Sequence, residues 1–334
     1  MATYYGRKYK LLELRHRLKE MWMAARIAMK SRSLGKPDME PPICIAMIDG
    51  EGYHGGLCDR FKGMISLYAY CKYRHLPFRI KHTYPFKLED YLLPATYDWR
   101  LREGEYTDNP LYSKVLYMKG EHQASRLLNL RTSRQIHFYT NRDLLECIND
   151  AYAQGSRLDW GKLFRELFIP GPVLKERMAA VRKELDRGNG YVAAVFRFQN
   201  LFGDFSEYGY RPMADNEERV HIIDKCLAAI RRLRSEHSDK EILVTSDSAT
   251  FLDMVSRLEG CHIIQGTMVH MGGNKKGLPD GCTPFEVYMK SFLDFYMLSE
   301  AQKIYRIGTT QMYPSAFPVY AAKVLGIPFE SIIV

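Results

Sequence analysis

With 334 residues the chain can form two domains of ordinary size or one large α/β unit, and at 46% hydrophobic residues it has ample material for buried cores. No stretch reaches the roughly 18 consecutive apolar residues of a membrane span, and the start, MATYYGRKYK, lacks the apolar core and cleavage site of a signal peptide. The net charge of +9 is concentrated: residues 1–36 hold ten lysines and arginines against Glu13 and Glu20, a balance of +8, so the rest of the chain is only +1. This removes the charge argument for a nucleic-acid-binding body.

The first expected element is a helix over 10–32. Leu11, Leu14, Leu18, Met21, Trp22, Ala25 and Met29 recur at spacings of three and four, and Lys and Arg fill the other face. Such a helix can lie on an anionic membrane, where each basic residue contributes about 1 kcal/mol, or it can pack on the body of the protein. A linker rich in Pro and Gly, 33–42, follows. Strand and helix then alternate. Strands are expected at Ile43–Asp49, Phe78–Thr83 and Gln135–Thr140, and a helix at Arg60–Arg74. The aromatic, polar stretch between the last two strands suits a loop-rich region shaping an acceptor cleft. Helices near 159–167 and 172–187 flank Pro170-Gly-Pro172, which reads as a hinge.

A second alternating array begins at the strand Tyr191–Phe198. A helix is expected at 215–235, a strand at Glu241–Ser246, a helix at 249–258 and a strand at His262–Gln265. Thr283-Pro-Phe-Glu286 is a capping box with Pro in the first turn, and it opens a helix to about Ala301. The strand Lys303–Gly308 and a helix over 316–325 complete the array. The expected domains are 1–40 (basic helix and linker), 41–170 (N-terminal, Rossmann-like) and 171–334 (C-terminal, Rossmann-like). Two such arrays imply two parallel sheets that bind ligands beyond their strand C-termini. The seven cysteines, Cys44, Cys58, Cys71, Cys147, Cys226, Cys261 and Cys282, are odd in number and never in a C-x-x-C pair, and no N-x-S/T sequon occurs. That pattern suits reduced thiols in a cytoplasmic protein rather than disulfides or zinc.

Four segments after expected strands carry the chemistry. In Asp49-Gly-Glu-Gly-Tyr-His-Gly-Gly-Leu-Cys-Asp-Arg-Phe-Lys-Gly63 the glycines let backbone N–H groups approach a phosphate, with Asp59 and Arg60 opening the helix. The spacing fits neither the P-loop nor the dinucleotide fingerprint. Arg197, at the end of a hydrophobic strand, suits a diphosphate or else a salt bridge to Asp204 or Glu207. Asp247, between strand and helix, is an N-cap or an acceptor for a nucleotide base. Thr309, Thr310 and Ser315 place hydroxyls and N–H groups at a helix start, again suiting phosphate.

In order along the chain, Gly55-Gly-x-x-Asp-Arg60, Leu163-Phe-Arg-Glu-Leu-Phe-Ile-Pro170, the strand ending in Arg197, Thr245-Ser-Asp247 and Ser315-x-Phe317 resemble the fucosyltransferase-like superfamily over roughly residues 43–330. That group includes core and chitin-oligosaccharide α1,6-fucosyltransferases, protein O-fucosyltransferases and plant cell-wall fucosyltransferases, and the wording of the segments is similar to its bacterial surface-polysaccharide enzymes. The resemblance implies a GT-B fold, two Rossmann-like domains facing a cleft, here with an N-terminal amphipathic helix added. It implies an inverting, metal-independent transferase without a cofactor that uses GDP-fucose. Arg197 would grip the β-phosphate and Asp247 would lie near the guanine together with Ser246. Thr310 and Ser315 would lie along the diphosphate, Thr309 and Phe317 would also bind the donor, and the first Gly-rich loop with His54, Gly55, Gly56, Asp59 and Arg60 would close over it. Several relatives carry His two residues before the arginine, where this chain has Val195.

An inverting displacement needs a carboxylate to take the acceptor proton. Glu207 is the first choice and Asp204 the second, with Glu51 and Asp49 behind them. The expected partners are a nucleotide-sugar donor, a glycan or lipid-linked oligosaccharide acceptor, and a membrane surface met through residues 10–32; no nucleic acid is expected. The competing readings are a transferase for another GDP- or UDP-sugar, and a non-catalytic basic protein binding membrane or nucleic acid.

Overall fold

The computed structural model describes residues 18–29, 43–120, 123–185, 188–205, 211–266, 268–269, 271 and 283–334. The chain splits into two compact units, one of Met1–Lys87 with Pro94–Leu167 and one of Leu88–Leu93 with Phe168–Val334.

In the first unit, helix α1 (residues 18–29) precedes strand β1, Cys44–Ile48, helix α2, Leu57–Arg74, and strand β2, Phe78–His82. After β3 (Leu92–Pro94), whose Leu92 and Leu93 belong to the second unit, there follow β4 (Ser113–Tyr117), α3 (Ala124–Leu128), β5 (Gln135–Tyr139), α4 (Leu145–Tyr152) and α5 (Trp160–Leu167). Its sheet runs β2-β1-β5-β4 and is parallel throughout, while β3 pairs separately with β6 (Phe168–Pro170). A parallel strand at the sheet centre is covered on both faces, and all five residues of β1 are buried. Successive side chains alternate between faces, so Ile43, Ile45 and Met47 share one face. There they meet Tyr117, Tyr139 and α1, which contributes Ile27, Met23 and Ala24.

That docking corrects the helical face expected from the sequence. The buried positions of α1 are Glu20 and Ile27, whereas Leu18, Met21, Trp22, Ala25 and Met29 are exposed. The Glu20 carboxylate, 1% exposed, accepts the Lys119 N–H at 3.1 Å and an Arg126 guanidinium N–H at 3.1 Å. A buried carboxylate with two donors holds the helix in place, so its described part belongs to the body of the unit. Among the described residues no helix is long and apolar enough to cross a membrane.

The second unit continues with α6 (Pro172–Leu185), β7 (Tyr191–Phe196), α7 (Asn216–Glu236), β8 (Glu241–Ser246), α8 (Ala249–Val255) and β9 (Cys261–Ile263). It closes with α9 (Pro284–Ser299), β10 (Ile304–Gly308), α10 (Phe317–Leu325) and β11 (Phe329–Ile333). The sheet order is β11-β10-β7-β8-β9, again all parallel. The expected N-cap forms, with Thr283 Oγ1 accepting the Glu286 N–H at 3.3 Å ahead of α9, while Glu286 Oε1 pairs with Arg177 at 2.7 Å. Phe196, Phe198 and Phe251 centre the core beneath β7 and β8, with ring centroids 4.8 and 4.9 Å apart across the Phe251 contacts.

Several elements depart from the sequence expectation. The stretch assigned to loop between β2 and β5 contains β4 and α3; β4 is an edge strand of five residues, too short and too polar for a periodic signal. β11 is likewise an edge strand, with Glu330, Ser331 and Ile333 exposed. Helix α2 opens at Leu57 behind Gly56, so Asp59 and Arg60 lie within it rather than at its start.

Gly63, inside α2, lies against β5: a Cβ there would stand 2.3 Å from the Thr140 carbonyl oxygen. Replacing a helical Gly with Ala ordinarily stabilises by roughly 0.5–1 kcal/mol. Here overpacking reverses the sign, and Gly63→Ala is expected to destabilise the fold by about 1–3 kcal/mol. A Cβ at Gly56 meets nothing within 4 Å, so Gly56→Ala serves as the comparison in thermal unfolding. Equal melting temperatures for the two variants would remove this account of Gly63.

Candidate active site

In the second unit the chain runs outward from β7 to β8 and β9, then returns to the other side of β7 for β10. The point between β7 and β10 where the direction reverses is where open α/β sheets leave a crevice beyond their strand ends. Arg197 follows β7, Asp247 follows β8 and Thr309 follows β10. The pairing of Phe196 with Ser246 sets Arg197 beside Asp247, and the guanidinium Nη1 lies 3.1 Å from Asp247 Oδ2. The Asp247 carboxylate also accepts the Phe198 N–H at 2.8 Å and the Gln199 N–H at 2.6 Å. Asp247 is therefore not the cap of the helix that follows β8, as one of the two sequence readings had it. The helix cap of α8 is Ser248, whose hydroxyl accepts the Phe251 N–H at 3.1 Å. Arg197 thus forms an ion pair with Asp247, a partner that the sequence reading did not name.

Arg197 stacks its guanidinium over Phe205, 4.7 Å from the ring centroid, and its side chain stays 20% exposed. The cation is thus aimed and backed by an aromatic face while part of it reaches solvent. Gln199, buried, takes the left-handed conformation at φ 56°. Such backbone costs of order 1 kcal/mol for a residue with a Cβ, and the bond to Asp247 offsets it. Asp204 Oδ2 accepts the Ser248 hydroxyl at 2.6 Å and the Thr250 N–H at 3.0 Å, so this carboxylate fastens the loop after β7 to the start of α8. Ser246 Oγ accepts the Ser248 N–H at 3.1 Å. After β10, the Thr309 hydroxyl accepts the Gln311 N–H at 3.2 Å and the Ser315 hydroxyl accepts the Phe317 N–H at 3.2 Å, while Thr310 is exposed. Phe317 sets its ring edge-on to Phe295 at 5.4 Å. Glu207 lies outside the described residues.

In the first unit β1 sits between β2 and β5, and Asp49 follows it at the equivalent reversal. Asp49 Oδ2 accepts the Tyr139 hydroxyl at 2.8 Å and Oδ1 accepts the Glu51 N–H at 3.0 Å. The turn after it folds on its own side chains. His54 Nε2 accepts the Gly50 N–H at 3.1 Å, and burial followed by the nearby Arg60 charge lowers its pKa to about 3. His54 is neutral near pH 7 and brings no cation to a phosphate. Arg60, 1% exposed, donates to the Gly55 carbonyl at 3.3 Å and the Tyr84 carbonyl at 2.6 Å, and meets His82 Nε2 at 3.1 Å. Asp59 binds Lys62 at 2.9 Å. Gly55 adopts φ 67°, and a Cβ there would strike Asp59 Oδ2 at 2.5 Å, which makes the glycine obligatory.

The expected site residues therefore form two groups, one in each unit. The structure adds partners that sequence reasoning missed. Phe205 and Gln199 had no local signal, since a ring stacked on a cation and a positive φ are set by tertiary contacts. The role of Asp247 as the holder of Arg197 depends on the pairing of β7 with β8, which no local sequence signal gives. Tyr139 was legible only as the tail of a strand.

No family model matches the chain, and no curated protein does. Solved structures do match. The fucosyltransferase NodZ from Bradyrhizobium is 12% identical at a TM-score of 0.53, over 85% of this chain and 92% of its own. A NodZ α-1,6-fucosyltransferase soaked with GDP-fucose gives 11% and 0.52, over 85% and 93%. A variant of Arabidopsis thaliana FUT1 in complex with GDP gives 12% and 0.55, over 93% of this chain and 74% of its own. The likeness shows the fold: an α/β chain with parallel sheets and an N-terminal helix, similar to the GT-B fucosyltransferases. This is the fold that the ordered motifs implied.

The Asp247 carboxyl is pushed up to about 6, burial being the largest cause and Arg197 with the two amides opposing it. A folded pKa above the unfolded value means the native state holds the proton more tightly, so stability falls as pH rises from about 4 through 6. The expected loss is on the order of 2–3 kcal/mol. Denaturant unfolding across that range measures it, with Asp247→Asn expected to flatten the slope. An unchanged slope in that variant would assign the titration to another group.

Proposed function

We propose that the chain is an inverting, metal-independent glycosyltransferase that moves L-fucose from GDP-fucose to a glycan or lipid-linked oligosaccharide acceptor in surface polysaccharide or glycoconjugate synthesis. The carrying observation is Arg197, a cation fixed by Asp247 and Phe205 at the reversal point of the second sheet and still reaching solvent. A diphosphate leaving group builds negative charge as its bond to the sugar breaks, and a preorganised guanidinium stabilises that charge without reorganising. Structures of the same fold bind GDP or GDP-fucose, which favours this donor over other nucleotide sugars.

In the proposed step the acceptor hydroxyl oxygen attacks the anomeric carbon from the face opposite the diphosphate. The bond from that carbon to the β-phosphate oxygen breaks, GDP departs with the electron pair, and the hydroxyl proton passes to a carboxylate. Glu207 is assigned as that base. Asp204 is the weaker candidate, because one of its oxygens accepts two hydrogen bonds within the protein and hydrogen bonds to the charged form reduce basicity. Thr310 and Ser315 would lie along the diphosphate, Asp247 and Ser246 near the base, and Thr309 and Phe317 would also contact the donor. In the first unit Gly55, Gly56 and Asp59 are proposed as donor-binding residues, with His54 and Arg60 holding that turn in shape. The location is cytoplasmic, peripheral on the inner face of a membrane.

Thermal shift separates donors: at about 100-fold excess over Kd a ligand adds ~2.7 kcal/mol of stability. GDP is expected to give this shift, and UDP, CMP and NAD none. Stabilisation by UDP alone would replace the donor. In an assay with GDP-fucose, Arg197→Ala is expected to lower turnover by ~10²–10³ while the protein still melts cooperatively. Near-normal turnover would discard the role of Arg197, and strong activity in Glu207→Gln would move the base elsewhere.

A further inference from the structure

Helix α1 has two apolar faces and unit one uses only one of them. At 3.6 residues per turn, Glu20, Met23, Ala24 and Ile27 share the side that docks on the sheet. Leu18, Trp22, Ala25 and Met29 share the opposite side, with Met21 at its margin. The large side chains of this outer row are not covered: Leu18 is 52% exposed, Met21 55%, Trp22 62% and Met29 76%. A contiguous apolar row of this kind marks an interaction surface. It spans about three turns, roughly 16 Å.

We propose that this outer face of α1 lies in the headgroup boundary of an anionic bilayer. Charge selects that occupant. Residues 1–36 carry a balance of +8, and of their two acids Glu20 is buried and paired with Arg126, turned away from the outer row. Lys19 is exposed at one margin of the row, and Arg26 sets its guanidinium 5.7 Å from the Trp22 ring centroid. A basic margin beside Trp, Leu and Met is the composition of a helix lying in the plane of an interface. A second copy would bring one +8 segment against another, so like-charge repulsion opposes self-association through this face.

The inference rests on the peripheral location proposed above and not on the transfer reaction. It adds the contact face, the lipid charge and one structural consequence. Arg26 donates to the Glu51 carbonyl at 3.0 Å, so the membrane-facing helix is tied to the turn that follows β1. The acceptor side of the first unit is thereby held close to the surface where a lipid-linked acceptor would reside.

Vesicle sedimentation of the full chain tests this with two probes, phosphatidylcholine alone and phosphatidylcholine with ~30% phosphatidylglycerol. Binding to the anionic vesicles is expected to exceed binding to the neutral ones by ~10-fold or more, and to weaken with salt. The chain has three tryptophans, and Trp99 and Trp160 are 0% and 3% exposed, so a lipid-dependent blue shift of emission reports Trp22. The combined Met21→Ser, Trp22→Ser and Met29→Ser variant should lose binding by ~10-fold or more, with its melting temperature and GDP-induced shift unchanged. Absence of binding, equal binding to neutral vesicles, or full binding by the variant would each overturn the proposal. So would a dimer in sedimentation velocity that the same substitutions dissolve. If the variant does not fold, quenching of wild-type Trp22 by brominated anionic lipid supplies the decision: quenching supports the contact and no quenching refutes it.

Discussion

One buried carboxylate organises the second unit. Asp247 is removed from water at the end of β8, an expensive position for a charge, and the structure answers it with Arg197 and the amides of Phe198 and Gln199. Those partners constrain the chain. The amides require the backbone to turn directly after Arg197, which puts Gln199 at positive φ and ends β7 where the crevice begins. The cation is held from one side by Asp247 and from another by the Phe205 ring. Phe196 and Phe198, buried on the two sides of Arg197 in sequence, pack with Phe251 and hold the strand end rigid. In the proposed transfer reaction such a fixed cation would need no reorientation to meet the charge of the leaving group.

The first unit has a parallel arrangement with different chemistry. Asp49 follows the central strand and is held by Tyr139 and the Glu51 amide, and its turn is stiffened from within by His54 and Arg60. Here the buried cation, Arg60, is spent on carbonyl groups of the turn. Its neighbour His54 cannot protonate near neutrality because burial and Arg60 both oppose a second positive charge. The turn is therefore a preformed backbone surface, and its glycines matter for shape. The sheet behind it is completed by α1, whose Glu20 caps the Lys119 amide and anchors Arg126. A helix met in sequence as a separable basic leader is, over its described residues, one of the covering layers of the sheet.

The sequence by itself determined the alternation of strands and helices, because a buried parallel strand is a continuous apolar run and its helix carries a 3.6-residue period. Glu241–Ser246 was legible to the residue for that reason, and Thr283 was legible as an N-cap from its own side chain and the Pro that follows it. Edge strands β4 and β11 were not, since a half-exposed strand of five residues leaves little pattern. The sequence also located Arg197, Asp247 and the glycine turn as points where polar groups meet strand ends. It assigned the docking face of α1 to the wrong side: periodicity reports that apolar faces exist, and says nothing of which one finds a sheet. Partnership was decided only by the tertiary structure. Whether Arg197 meets Asp247, Asp204 or a ligand, and whether His54 and Arg60 point outward or into their own turn, depends on register between distant strands and on the dielectric that packing creates. Neither is a property of local sequence.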